Sequence, residues 1–325
     1  MKTILDKITS NTLWTTKYSP QKLDDLILHP ITKKTLNHFI NTTIKNCIFI
    51  GGSGSGKTIT SKILARNIIP KEFAFDIFLN LNASDDRGLT MINNIIIPFI
   101  KKKYDKFPIK LIIINEAHTI TPKAQSQISN LMDSYSNTKF IFISNELNDI
   151  SDNIQSRCSI LYFPIISYDN IFNKIKFINK NENVNLNDEC LKTIIDITQR
   201  DLRQSINSLQ VIKYIKNTDI TPDIIYTLFD KPNNIMIKNL LLHIHKNNKD
   251  KIKIILSKCK NKGYSPNDIL LAILNFIITI KTFDELPRDF IIETYKIVSK
   301  YYIRINKGTE TWIQVYGCIA ECINS

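Results

Sequence analysis

Eight consecutive residues, Gly51-Gly52-Ser53-Gly54-Ser55-Gly56-Lys57-Thr58, match the spacing G-x-x-x-x-G-K-[ST] at every defined position. A glycine-rich turn lets successive backbone N–H groups point inward as an anion nest, which the N-terminus of a following helix reinforces. Lys57 would then reach the β- and γ-phosphates of a nucleoside triphosphate, and Thr58 would ligate Mg²⁺. The chain has only eight glycines, and four of them are Gly51, Gly52, Gly54 and Gly56. A chain so poor in glycine does not crowd half of them into six positions by drift.

A second group of polar residues closes apolar runs downstream. "LIIINEAH" (111–118) carries four apolar residues into Asn115 and Glu116, and "FISN" ends at Asn145. Glu116 suits the general base that orients or deprotonates an attacking water. An amide at Asn145 could hold that water or the γ-phosphate. The residue before the base is usually Asp, which supports Mg²⁺ largely through its water shell. Asn115 loses the charge and keeps an acceptor oxygen, so weaker Mg²⁺ binding and slower turnover are expected.

The elements that must hold these residues are legible as well. Cys47–Ile50 precedes the glycine loop as a short buried strand, and a helix follows with Ile63 and Leu64 on its packing face. Further strands are expected at 76–81, 110–115, 139–144 and 159–163, with helix-length stretches between most of them. That alternation predicts an α/β domain with a parallel sheet covered on both faces. Beyond it, Ile171, Ile175 and Ile178 mark one helix, and Leu202, Ile206 and Leu209 another. The expected division is a nucleotide-binding domain over 1–165, a helical lid over 166–228 and an all-α domain over 229–325.

Composition narrows the classes. A hydrophobic fraction of 43% fits a folded soluble chain, and no apolar run reaches the roughly 20 residues of a membrane span. An intracellular protein with no membrane partner is expected. The six cysteines form no C-x-x-C pair and are read as reduced, mostly buried thiols. The net charge of +13 has two readings, contact with a polyanion or the lysine, asparagine and isoleucine richness of an AT-rich genome.

Several separated stretches resemble one family, the small subunits of replication factor C, the sliding-clamp loader among the AAA+ ATPases. "LWTTKYSPQKLDDLI" resembles its opening W-x-x-K-Y-R-P segment. "LNASDDRG" (81–88), the S-R-C box within "IQSRCSILYF" and "RDLRQSINSLQ" match its later motifs, and "YYIRINKGTETWIQVYGCIA" resembles its final helices. The resemblance implies an ATPase using ATP and Mg²⁺, with an AAA+ sheet domain, a lid and a C-terminal oligomerisation collar. Its implied partners are a PCNA-like sliding clamp, primer–template DNA and the other loader subunits of a pentamer, at sites of DNA replication.

Roles follow by position. Arg157 would be an arginine finger acting in a neighbour's ATP site, and Arg203 a sensor on the lid helix touching the chain's own γ-phosphate. Tyr18 and Pro20 would border the adenine. Arg87 would hold a DNA phosphate without reading sequence. In 91–107, Ile96 and Phe99 either help fill a pocket on the clamp or belong to an ordinary core helix, with Pro98 interrupting any helix there.

Departures from the family are equally specific. Asn115 stands for aspartate and Gly52-Ser53 for two prolines. Ser129-Asn130 replaces an arginine pair, Ser19 an arginine, and Arg200 a glycine. Such drift suits either a working but slowed ATPase or a subunit that holds ATP statically and lends Arg157 to its neighbour. Another AAA+ DNA motor, such as a branch-migration helicase, is the remaining alternative. Composition and drift together point to a viral or protist source.

Overall fold

The computed structural model describes residues 12–85, 88–102, 104, 107–215, 220–279 and 286–324. Arg87, expected at a DNA phosphate, lies outside the described residues. Packing divides the chain into two units, one of residues 1–185 with 198–216 and one of 186–197 with 217–325. The stretch 166–228, read above as a single lid, is shared between them.

In the first unit, five strands form one parallel sheet. They are β1 (Cys47–Ile50), β2 (Phe78–Asn82), β3 (Lys110–Asn115), β4 (Thr138–Ser144) and β5 (Ser159–Tyr162), in the spatial order β2-β3-β4-β1-β5. The helices of this unit used below are α1 (Trp14–Lys17), α2 (Pro30–Asn41), α3 (Lys57–Ile68), α4 (described next), α5 (Pro122–Ser134), α6 (Asp152–Gln155), α7 (Tyr168–Asn181) and, after an excursion of chain, α9 (Leu202–Lys213). Side chains alternate across each strand, so each apolar strand feeds two cores. Ile112, Ile114, Phe140 and Phe142 pack with Ile92, Ile96 and Ile128 on one face. Phe49, Leu111, Ile113 and Ile141 pack with Ile63 and Leu64 of α3 on the other. Strand β2 begins two residues later than expected, because Ala74–Ile77 closes a helical turn that buries Ile77.

Helix α4 departs from expectation. Leu89–Met91, the π-turn Ile92–Ile96 and Ile97–Lys101 follow one another without a break. Pro98 does not interrupt this helix. It falls in the first turn after the π segment, where a missing N–H costs least. The far end is closed from the sheet: Lys110 Nζ donates to the carbonyls of Phe99 at 2.6 Å, Ile100 at 2.9 Å and Lys102. Burial pushes the Lys110 pKa down, with the Lys102 charge adding to the effect.

This packing decides the two readings of 91–107 for one residue. Ile96 is fully buried in the core, so it presents no surface to a partner here, and its expected place in a clamp pocket is corrected to a core position. Phe99 is half-buried, with Lys110 Nζ 5.3 Å from its ring centre. The exposed apolar side chain of the turn is Ile95, beside the exposed Asn93 and Asn94.

A buried carboxylate ties the N-terminal segment to α7 and α9. Glu182, 7% exposed at its side chain, takes Lys17 Nζ at 2.5 Å, Tyr18 Oη at 2.7 Å and Lys213 Nζ at 2.8 Å. Desolvation alone would raise its pKa, but the hydrogen bonds from Lys17, Lys213 and Tyr18 outweigh it and hold the value at about 2. The Tyr18 hydroxyl, pushed up to about 12 by burial and by Glu182, stays protonated as the donor. The depressed carboxyl contributes stability that is fully present above the ordinary glutamate range and lost as pH falls towards 2. A shift from 4.5 to about 2 corresponds to roughly 3 kcal/mol. Glu182→Gln is therefore expected to lower stability at pH 7 by about 2 to 3 kcal/mol. Urea unfolding should show that gap narrowing as pH drops from 4.5 to 2.5, where about four-fifths of the shifted range has been crossed.

The second unit is all helix: α8 (Asp188–Ile197), α10 (Pro222–Leu228), α11 (Asn234–His245), α12 (Lys249–Asn261), α13 (Pro266–Thr279), α14 (Arg288–Asn306) and α15 (Trp312–Asn324). Leu240, Leu241, Ile269, Leu270, Ile273, Val298, Val315 and Cys318 centre its core. Among the described residues, no helix is long and apolar enough to cross a membrane.

Candidate nucleotide-binding and hydrolysis site

In a parallel sheet all strands end on the same side, so Ile50, Asn115 and Ser144 bring their following loops to one edge. The glycine loop leaves β1 there and α3 starts at Lys57 with Gly56 in the left-handed region, φ 90°. Gly51 and Gly54 are favoured for separate reasons. A Cβ at Gly51 would strike the carbonyl oxygen of Phe163, and one at Gly54, where φ is 71°, would sit 2.5 Å from Asp201 Oδ1. Ser55 closes the loop on itself, its hydroxyl donating to the Gly52 carbonyl at 2.8 Å. Gly52, Ser53 and the Thr58 side chain are exposed.

Lys57 is 8% exposed, and its Nζ donates to the carbonyls of Gly51 at 2.6 Å and Gly52 at 2.8 Å. Asn145 Oδ1 lies 3.5 Å from the same nitrogen. The two residues expected around a γ-phosphate are thus brought together. Burial pulls the Lys57 pKa down, and the charge of Asp201 opposes that shift.

Asp201 was not anticipated as a site residue. Its Oδ1 accepts the backbone N–H of Arg203 at 2.9 Å and of Gln204 at 3.1 Å, capping α9. Its Oδ2 accepts the Ser53 hydroxyl at 3.0 Å. One carboxylate therefore joins the glycine loop to the first turn of the helix that carries Arg203. The preceding residue, Arg200, has φ 64°. The family's glycine at this position has a conformational reason, and an arginine there costs about 1 to 3 kcal/mol of backbone strain. Its guanidinium lies over the Tyr168 ring at 5.9 Å.

Glu116 shows strain of the same kind. Its φ of 53° and ψ of 41° are left-handed, and it caps the short turn Ala117–Thr119, with its carbonyl accepting from Thr119 N at 2.9 Å. Non-glycine residues in this region persist where packing over-determines them, and they cluster at functional sites. The side chain is exposed, which leaves it reachable by water.

Asn115 is held by its amide nitrogen, which donates to Asn80 Oδ1 at 2.8 Å and to the Leu81 carbonyl at 3.0 Å. Its Oδ1 is buried without a hydrogen-bond partner. A hydrated Mg²⁺ would satisfy this orphan acceptor, so the residues present fit the ion. Among the described residues no cluster of three acidic, cysteine or histidine side chains could hold a metal. A phosphate-loop site does not need one, because Mg²⁺ keeps several waters and takes substrate phosphates as ligands.

Arg157 lies on exposed surface in a bidentate pair with Asp133 of α5, Nε to Oδ1 at 2.8 Å and Nη2 to Oδ2 at 2.7 Å. Its Nη1 donates to the Asn153 carbonyl at 2.7 Å. The guanidinium holds the Asp133 carboxyl below the usual range. Gln125 and Gln155 fix the loop beneath: Gln125 Nε2 donates to the Asp149 carbonyl at 2.9 Å and Gln155 Nε2 to the Ile150 carbonyl at 2.6 Å. Neither glutamine nor Asp133 is detectable from spacing, because each acts through a fold contact. Ser129, in place of an arginine, is buried and bonds the Ser126 carbonyl at 2.8 Å. Tyr18 commits its hydroxyl to Glu182 and its ring edge to Phe177 at 6.4 Å, and Pro20 follows half-buried.

A parallel sheet with a glycine loop after β1, an acid after β3 and an amide after β4 defines a phosphate-loop ATPase. The model of the AAA family, ATPases associated with various cellular activities, matches residues 47–164, and that of the replication factor C C-terminal domain matches 232–321. Replication factor C subunit 4 of Saccharomyces cerevisiae is 32% identical over 312 residues, covering 95% of this chain and 94% of the yeast protein. The replication factor C small subunit of Picrophilus torridus is 31% identical over 313 residues, covering 95% of this chain and 96% of its own. The chain belongs to the replication factor C small-subunit family. Among solved structures, the Thermotoga maritima RuvB Holliday junction branch migration motor has a TM-score of 0.52 at 14% identity, over 71% of this chain and 80% of that one. That likeness is one of fold alone.

Proposed function

We propose that this chain is a small subunit of an ATP-driven clamp loader, which opens a PCNA-like ring and places it on primer–template DNA within a pentamer. The observation that carries the reading is the complete phosphate loop with Lys57 beside Asn145, in a chain related to replication factor C subunit 4 over 95% of its length. The loop amides, Lys57, Thr58 and Arg203 bind and orient the triphosphate. Tyr18 and Pro20 border the base. Glu116 orients the attacking water, and Asn145 holds it near the γ-phosphate. Arg157 is offered to a neighbouring subunit, and residues 229–325 supply the collar through which subunits associate. Thr58 and Asn115 would hold Mg²⁺, which would supply neutralising charge to the triphosphate. The lid and the other boundaries keep the division at 165 and 228, and Arg87 and Phe99 keep their proposed contacts with DNA and clamp.

The basic balance of +13 agrees with a phosphate-backbone partner, whose binding is salt-dependent and indifferent to sequence. A second reading, static retention of ATP with Arg157 serving the neighbour, is favoured by Asn115. The test is to assemble the chain with its partner subunits and measure ATP turnover and clamp loading with and without primed DNA. Turnover stimulated by clamp and DNA, with loading that requires ATP, supports the proposal. Loading that proceeds without ATP overturns it.

A further inference from the structure

A carboxylate beside Mg²⁺ presents oxygen whichever way it rotates. An amide does not, since half a turn about its last bond exchanges an acceptor for an N–H donor that a cation repels. With asparagine at position 115, the chain therefore needs a device that sets the amide's direction. Two acceptors face Asn115 Nδ2: the Leu81 carbonyl at 3.0 Å and Asn80 Oδ1 at 2.8 Å. The Leu81 carbonyl belongs to the backbone and cannot invert, so the nitrogen must face it, and the direction of Asn80 follows. The opposite atom, Oδ1, is then left buried and unpartnered.

The sheet shows where that oxygen belongs. Asn115 shares its strand face with Ile113 and Leu111, two and four residues back. Both pack in the core that Ile63 and Leu64 of α3 complete. Asn80 stands on the same face, opposite Ile113 in register. This is the face covered by the helix whose first turn carries Thr58.

We propose that Asn80 is a positioning residue for the metal subsite: by accepting from Asn115 Nδ2 beside the Leu81 carbonyl, it strengthens the hold that turns Asn115 Oδ1 towards the hydrated divalent cation of the bound nucleotide. Asn80 touches neither nucleotide nor metal and acts through Asn115 alone. The inference rests on reading the phosphate loop as a nucleotide site.

The probe is Mn²⁺, whose affinity for the protein–ADP complex is read by electron paramagnetic resonance. Fluorescent mant-ADP binding without metal is measured on the same samples. Asn80→Leu is expected to raise the Mn²⁺ dissociation constant about three- to tenfold, the loss of one neutral hydrogen bond, with mant-ADP binding unchanged. Asn80→Asp, which keeps the acceptor, should bind Mn²⁺ at least as tightly as wild type. In an Asn115→Asp background the direction of the side chain no longer matters, so Asn80→Leu should change Mn²⁺ affinity there by less than about twofold. An unaltered Mn²⁺ affinity in Asn80→Leu overturns the proposal. So does an equal loss in both backgrounds, which would mark Asn80 as merely structural. If wild type binds no mant-ADP, the nucleotide-site reading itself fails.

Discussion

Glu116→Gln should lower ATP turnover in the assembled loader by about 10²- to 10⁴-fold, the span of a lost general base, while nucleotide binding stays within about twofold, since the substitution leaves a polar side chain of the same length at a position that does not contact the loop. The prediction follows from position and strain together. Glu116 is the first residue after β3, is exposed, and is held left-handed at φ 53° by the Thr119 contacts to its carbonyl. Those contacts are backbone-directed and survive the change to glutamine, so the variant should fold with an unaltered loop. Single-turnover hydrolysis and mant-ATP titration separate the two quantities. Turnover indifferent to the substitution would leave the site as a static holder of ATP and favour the second reading above.

Arg157→Ala should cost the assembled complex about 10³-fold or more in hydrolysis at the adjoining site, the scale of an arginine supplied in trans. The same substitution should do little to the isolated chain. Arg157 and Asp133 are both exposed, at 36% and 56% of their side chains, and surface ion pairs contribute little to stability. As placed, Nε and Nη2 are engaged by Asp133 and Nη1 by Asn153. The Nε and Nη2 edge is committed to Asp133, so a phosphate that takes that edge must displace the carboxylate. Arg157→Lys should not rescue hydrolysis, because a point charge on a flexible stem lacks the planar fork. A complex in which one subunit carries the substitution, assayed beside one carrying Glu116→Gln, shows whether the loss falls on the neighbour's site or on the chain's own.

Much of this site was legible before any fold was known. Phosphate-loop chemistry needs local donors from contiguous residues, so Gly51 to Thr58 declare it by spacing alone, and the strand before and helix after confirm it. The parallel sheet was legible because strands buried on both faces must carry uninterrupted apolar runs, as 47–50, 111–114 and 140–143 are. Boundaries were less so: β2 yielded Asp76 and Ile77 to a helical turn, and a π-turn carried α4 through Pro98. Both outcomes depend on packing partners distant in sequence.

The sequence by itself determined the candidates for the chemistry: the loop, Lys57, Glu116, Asn145 and Arg157, and the departures at Asn115, Ser53 and Arg200. Only the tertiary structure decided what each of those residues leans on. Asp201 reaches Ser53 across 148 positions, Glu182 reaches Lys17 across 165, and Asn80 reaches Asn115 across 35. Ile96 reads as apolar in either role, and its full burial alone made it core. The physical reason is common to all four. A backbone nest, a strand or a motif is a property of neighbours in the chain, whereas a supporting hydrogen bond or a buried face exists only once the fold has brought distant residues together.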